Sequence, residues 1–212
     1  MTQQTTQVIL IRHGQTEWNK QRRMQGHSDS PLTEKGVLQA QLLGKRLATM
    51  SFDALYSSDS GRAHHTARCV AEATGHPLVV EPGLRERNFG VFEGLTREEM
   101  MERYPDDYAR FKARDPEFAM PNGESGVAFR ARAIACMDRI VARHRGQHLV
   151  VVTHGLVLDV FYRLAMGIPP HEPRIHELVN AGINRLRHDG ERWHIEVWGD
   201  GSHLEEGMRT VT

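Results

Sequence analysis

The sequence predicts an α/β protein: a three-layer α/β/α arrangement with a mainly parallel central sheet and a small helical insertion over the active site. Three observations carry this prediction. Short aliphatic runs such as "VILI" at Val8–Ile11 and "LVVV" at Leu149–Val152 suit strands covered on both faces. Amphipathic helical stretches alternate with them, an order that produces parallel crossovers. Polar and charged residues gather directly after the apolar runs, where ligands sit in open α/β sheets.

The elements follow in order. After the first strand, "LTEKGVLQAQLLGKRLATM" reads as a helix, with Thr33 as N-cap and Leu38, Leu42, Leu43 and Leu47 along one face. "FDALYSS" is a second strand, and "SGRAHHTARCVAEATG" a second helix closed by Gly75. "PLVVEPGL" gives a third strand. Between residues 94 and 123 the pattern becomes charged, rich in Met and aromatics, and punctuated by proline. This reads as a helical insertion, a lid or substrate wall. Its Met100, Met101, Tyr104, Tyr108, Phe111 and Phe118 suit either a pocket wall or the insertion's own core, and the core is the stronger reading. "ESGVAFRARAIACMDRIVARHRG" is a long amphipathic helix, "QHLVVVTHG" a fourth buried strand, and "LVLDVFYRLAMG" a helix ending at Gly167. "INRLRHD" and "RWHIEVWG" flank Gly190 as an antiparallel pair. No repeat, low-complexity tract or linker interrupts the chain, so a single domain over residues 1–212 is expected.

Hydrophobic content of 39% and charged content of 25% describe an ordinary globular protein. Basic and acidic residues balance at 27 each, which gives no electrostatic basis for a nucleic-acid or membrane partner. Any basic site must be a focused pocket. Cys69 and Cys136 read as buried free thiols, with neither a disulfide framework nor a zinc motif around them. The 13 histidines show no zincin-like pairing with an acid, so no metal is expected. "MTQQTTQ" lacks the features of a secretory signal, and no apolar run approaches the roughly 20 residues of a membrane span. A cytoplasmic protein is the expectation. An exposed edge on the C-terminal strand pair makes a homodimer conceivable.

The strand tips carry the chemistry. The first delivers Arg12, His13 and Gly14; the second Ser57, Ser58 and Asp59, with Arg62 one turn into the next helix. The third delivers Arg85, Glu86 and Arg87; the fourth Thr153, His154 and Gly155. Arginine forks match phosphate oxygens, and a histidine with one nitrogen held can offer the other as nucleophile. A second histidine can stabilise charge, and a carboxyl group can shuttle a proton. Gly14 and Gly155 would let backbone N–H groups approach an anion. Arg62 is an odd choice for a helix N-terminus, since a cation there opposes the macrodipole. Glu93 is a nearby rival to Glu86, Asn19 also suits a turn, and Trp18 reads as core packing.

"LIRHGQTEWN", "YSSDSGRAHHTA", "LRERNFGVFEG" and "VVTHG" resemble, in order and spacing, the histidine phosphatase superfamily, also called the phosphoglycerate mutase-like family. The resemblance runs from about Val8 to "SHL" around His203. It implies that His13 is the phosphorylated nucleophile, that Arg12, Arg62 and His154 form the phosphate pocket, and that Glu86 is the proton donor. It also implies that Asn19 touches phosphate, that Gln25 and Gly26 line the substrate, and that neither metal nor organic cofactor takes part. The partner implied is a small phosphorylated metabolite. Thr96–Arg97 stands where the cofactor-dependent mutases carry an asparagine–lysine pair, and their proline run is missing. The chain therefore looks more like a phosphatase than a phosphoglycerate mutase. Two further classes would also fit a phosphate pocket: a non-catalytic phosphate-binding protein and a metal-dependent phosphohydrolase.

Overall fold

The computed structural model describes residues 5–209. Six strands, β1 (Thr6–Arg12), β2 (Ala54–Ser57), β3 (Leu78–Val80), β4 (His148–Thr153), β5 (Ile183–His188) and β6 (Trp193–Asp200), form one sheet. Their order is β3-β2-β4-β1-β5-β6. The pairs β2–β3, β2–β4 and β1–β4 are parallel, whereas β5 runs antiparallel to both β1 and β6. The sheet is thus mostly parallel, as expected, with the C-terminal hairpin added to the β1 side.

Alternation along β1 explains why its sequence is apolar throughout. Val8 and Leu10 enter a core shared with Met137, Ile140 and Phe161. Ile9 and Ile11 enter the opposite core with Leu43, Leu47 and Val70. A strand buried on both faces has no polar side to show. The helices covering the first face are α6 (Gly126–Arg143) and α7 (Gly155–Met166); α2 (Glu34–Leu47), α3 (Gly61–Thr74) and α8 (Ser202–Arg209) cover the second. Thr33 caps α2 by accepting from the Gly36 N–H. Gly75 and Gly167 close α3 and α7 in the left-handed conformation.

The insertion holds α4 (Arg97–Arg103) and α5 (Pro105–Lys112) around a small core of Phe89, Phe92, Met100, Phe118 and Met120. Four local expectations need correcting. The third strand stops at Val80, because Pro82 removes a ladder donor and begins a 3-10 turn, Pro82–Leu84. Cys69 is half-buried, not buried. Trp18 belongs to neither main core: it is half-buried over Gly94. A short helix, α1 (Glu17–Lys20), occupies "EWNK" where no helix is expected; Thr16 and Asn19 build its capping box. No helix among the described residues is long and apolar enough to cross a membrane.

Candidate active site

β1 ends by pairing Arg12 with Thr153 of β4, so the two central strands deliver His13 and His154 side by side. Both are buried, and their ring centroids lie 5.3 Å apart. His13 Nδ1 is 2.8 Å from the Gly14 carbonyl oxygen, which can only accept. Nδ1 therefore carries the proton, and Nε2 keeps its lone pair. Arg62 Nε–H donates to that lone pair at 3.3 Å. Burial, then the charges of Arg62 and Arg12, hold His13 well below the usual imidazole range. His13 is a neutral base with a defined tautomer. The Asn180 side-chain amide donates to the His13 carbonyl at 2.8 Å and fixes the backbone.

Arg62 is among the most buried side chains of the protein. Its Nη1 donates to Ser28 O at 2.9 Å and Asp29 Oδ1 at 3.0 Å, and its Nη2 to Gly26 O at 2.7 Å. Asp29 also accepts from the Arg62 backbone N–H at 3.3 Å. This carboxylate answers the objection to a cation at a helix start, since it compensates both the guanidinium and the N-terminal dipole of α3. Arg12 donates through Nη1 to Leu178 O at 2.7 Å, while its buried Nε has no partner among the described residues. Burial lowers the Arg12 pKa from its ordinary value.

Glu86 lies beyond the 3-10 turn. Its Oε1 accepts from the Arg87 N–H at 2.9 Å and its Oε2 from the Leu156 N–H at 3.0 Å, in the first turn of α7. Burial raises its pKa despite these two bonds and the charges of Arg62 and Arg12. Glu93 is placed differently: it accepts from the backbone N–H groups of His27, Ser28 and Phe89 at 2.8, 2.6 and 3.0 Å. It anchors the loop whose carbonyls hold Arg62. Gly26 in that loop has φ +60°, and a Cβ there would meet Glu93 Oε1 at 2.0 Å.

His154 is fully buried and packs edge-on against the His13 ring. Its Nε2 is 2.8 Å from Ser58 Oγ, and its buried Nδ1 has no partner among the described residues. Burial, with Arg62 next, keeps it neutral. Arg12, His13, Asn19, Gln25, Gly26, Arg62, Glu86 and Gly155 line a cavity of about 1100 Å³. Gly14 departs from the expectation that its N–H faces an anion. That N–H donates to Thr66 Oγ1 at 3.0 Å, and a Cβ would clash with Gly36 O. Tyr108, Phe111 and Phe118 reach the cavity wall, whereas Met100 is buried in the insertion and Met101 is exposed. Arg85 pairs with Asp59, and Arg87 donates to the carbonyls of Glu124 and Phe118. Among the described residues, no cluster of His, Cys, Asp and Glu could hold a metal ion.

Asp29, Ser58 and Asn180 support the site; the sequence names Ser58 only as a strand-tip residue and singles out neither Asp29 nor Asn180. Ser58 follows a strand, and that position is its only signal; Asp29 lies in an irregular segment and Asn180 in an isolated bridge to Arg12, and neither has one.

A neutral histidine, two arginines and a buried carboxyl of raised pKa, gathered at one edge of a mostly parallel sheet, are the groups of an α/β enzyme acting on phosphate. The chain belongs to the histidine phosphatase superfamily (branch 1), whose family model matches residues 8–201. It is 36% identical over 204 residues to phosphoglycerate mutase-like protein 4 of Arabidopsis thaliana, covering 94% of this chain and 87% of that one. Among solved structures it is similar to Bacillus stearothermophilus YhfR, with TM-score 0.87, 36% identity, and coverage of 94% and 99%. It is also similar to the alpha-ribazole phosphatase of Shigella flexneri, with TM-score 0.84, 28% identity, and coverage of 92% and 96%.

Proposed function

We propose that this protein is a cytoplasmic, metal-independent phosphatase that hydrolyses phosphate monoesters of small metabolites through a phosphohistidine on His13. One observation carries the reading: the neutral His13 lone pair lies in a cavity with a carboxyl group, Glu86, whose pKa is raised. The buried Arg12 Nε and His154 Nδ1 lack partners among the described residues, as befits groups that meet an anion.

In the first step His13 Nε2 attacks phosphorus in line as the ester P–O bond breaks. The Glu86 proton passes to the departing oxygen, releasing the alcohol. In the second step Glu86, now a carboxylate, takes a proton from water as its oxygen attacks phosphorus. The P–N bond breaks, its electron pair returns to Nε2, and inorganic phosphate leaves. Arg12, Arg62 and His154 hold the non-bridging oxygens through both steps, the main source of catalysis in phosphoryl transfer. The first turn of α7 at Gly155 adds positive potential, and Asn19, Gln25 and Gly26 border the ester group.

The relative's name raises phosphoglycerate mutase activity as the second reading, in which phosphohistidine passes its phosphoryl group to another hydroxyl. A panel of phosphorylated metabolites with chelator present tests both. Phosphate release by the parent enzyme, radiolabel trapped on His13 after a denaturing alkaline quench that preserves the P–N bond, and loss of both in His13→Ala are expected. Full activity in His13→Ala overturns the mechanism, and rapid interconversion of phosphoglycerates without phosphate release favours the mutase.

A further inference from the structure

Nine basic side chains line the cavity against four acidic ones, although the chain as a whole carries 27 of each. Most of the nine are held by the protein. Arg12, Arg62 and Arg87 donate to carbonyls, Arg23 pairs with Glu99, and Arg114 donates to Glu172 O. Arg163 pairs with Asp159 through Nε at 2.7 Å and donates to Pro169 O. Lys112 is exposed at the margin. Arg130 and Arg174 remain, both on the cavity wall and neither with a side-chain hydrogen bond or ion pair among the described residues.

Both arginines line the same cavity, Arg130 half-buried and Arg174 exposed. Arg130 is half-buried on α6, and burial together with the neighbouring Arg163 charge disfavours its proton. Asp159 is the acid at hand, but it already serves Arg163 and lies 3.2 Å from His176 Nε2. Arg174, between α7 and β5, is near enough to lower the proton affinities of both Arg12 and His176. A half-buried guanidinium facing other cations is unfavourable unless an anion joins it. The region adjoins the phosphate end without belonging to it.

We infer that Arg130 and Arg174 form a second anion subsite, which selects phosphate esters carrying a further carboxylate or phosphate on the alcohol part. The inference rests on the reading of His13 and the arginines beside it as the phosphate site. The cavity volume suits an alcohol part of sugar size. Guanidinium forks recognise carboxylate and phosphate alike.

The test is calorimetric binding to His13→Ala, which removes turnover, using two matched pairs. One pair is 6-phosphogluconate against glucose 6-phosphate; the other is fructose 1,6-bisphosphate against fructose 6-phosphate. In at least one pair the ester with the extra anion is expected to bind about tenfold tighter, or about 1.4 kcal/mol. The pair showing the larger ratio distinguishes carboxylate from phosphate. Adding Arg130→Ala and Arg174→Ala should reduce the ratio below about threefold, a loss of most of that 1.4 kcal/mol. Arg130→Gln, which keeps the packing, should lower it too, and Arg139→Ala, on the same helix but off the cavity, should preserve it. Equal affinities within both pairs, no binding of any ester, or a ratio that survives the double substitution overturns the inference. Hydrolysis by the parent enzyme is followed separately: no phosphate release from any ester defeats the phosphatase reading and leaves the binding result intact.

Discussion

Glu86→Gln separates proton donation from every other contribution of the site. The substitution keeps the side chain's length and one carbonyl oxygen but removes the proton that the leaving group needs. It also turns an NH2 toward one of the two backbone donors, Arg87 N–H or Leu156 N–H, at the loss of about 1 kcal/mol of stability. A positioned general acid contributes about 10²–10⁴ in rate, or about 2.7–5.5 kcal/mol of barrier. That factor should be lost in kcat/KM for alkyl phosphates, whose alkoxides leave poorly. p-Nitrophenyl phosphate releases a stabilised phenolate and should lose far less. The pH profile supplies a second readout. Burial raises Glu86, so activity in the parent enzyme should fall on the alkaline side as that carboxyl ionises. His13 is depressed, so its own protonation limits the rate on the acid side. Glu86→Gln should abolish the alkaline limb. Steady-state kinetics on both ester types across pH measures each effect. Equal losses on alkyl and aryl esters, with the alkaline limb unchanged, would refute the assignment of Glu86 as acid.

Ser58→Ala removes the His154 partner inside a fully buried setting, and should lower unfolding stability by about 1–3 kcal/mol in urea titration. It should also lower kcat, because the ring loses its fixed orientation; unchanged kcat would separate His154 orientation from catalysis. Asp29→Ala takes the carboxylate from the buried Arg62. Asp29 is itself exposed, so the expected loss is about 1.5 kcal/mol, at the low end for a charged hydrogen bond, with a raised KM that Asp29→Asn partly rescues. Acid should destabilise the fold. His13 and His154 have folded-state pKa values below the unfolded value, so the unfolded chain binds more protons as pH falls. Their contribution should therefore shrink as pH falls from 7 through the unfolded imidazole range. Half-buried His27, His176 and His188 shift in the same direction. Glu86 has the opposite sign, adding stability as pH falls through its raised value. The Glu86→Gln background should therefore show the steeper loss, and a flat urea midpoint over this range would contradict the neutral histidines.

Legibility in the sequence follows periodicity. β1 and β4 are readable because strands buried on both faces leave uninterrupted aliphatic runs, and the polar residues beyond them have to lie at one sheet edge. The edge strand β3 is shorter than its apolar run, since "PLVVEPGL" is apolar enough for a strand while Pro82 decides where pairing stops. α8 is hidden in "SHLEEGMR", a charged stretch with few apolar residues to set a period. The supporting residues are harder. Asp29, Ser58 and Asn180 act on Arg62, His154 and His13 across 33, 96 and 167 positions, and no local pattern announces such partners. Glu93 and Glu86 occupy similar sequence surroundings. Only the fold shows that one carboxylate is spent on three backbone donors and the other faces the cavity.

One physical cause moves both groups in the direction the proposed chemistry requires. Burial disfavours charge, so it lowers the His13 pKa and raises that of Glu86. Arg12 and Arg62 reinforce the first effect and oppose the second, because nearby positive charge favours neutral imidazole but ionised carboxylate. Glu86 thus rests on a balance that burial wins by itself, against two backbone hydrogen bonds and two guanidinium groups. An arriving phosphate ester changes that balance in one direction. Its negative charge offsets the arginines and repels a carboxylate, so the substrate strengthens the protonated state of the acid that must act on it. The same charge draws Arg62 Nε–H toward phosphate oxygen and away from the His13 lone pair, a bond already long at 3.3 Å. Substrate binding would then free the nucleophile and hold the acid in its working form together, with the arginines as the common link.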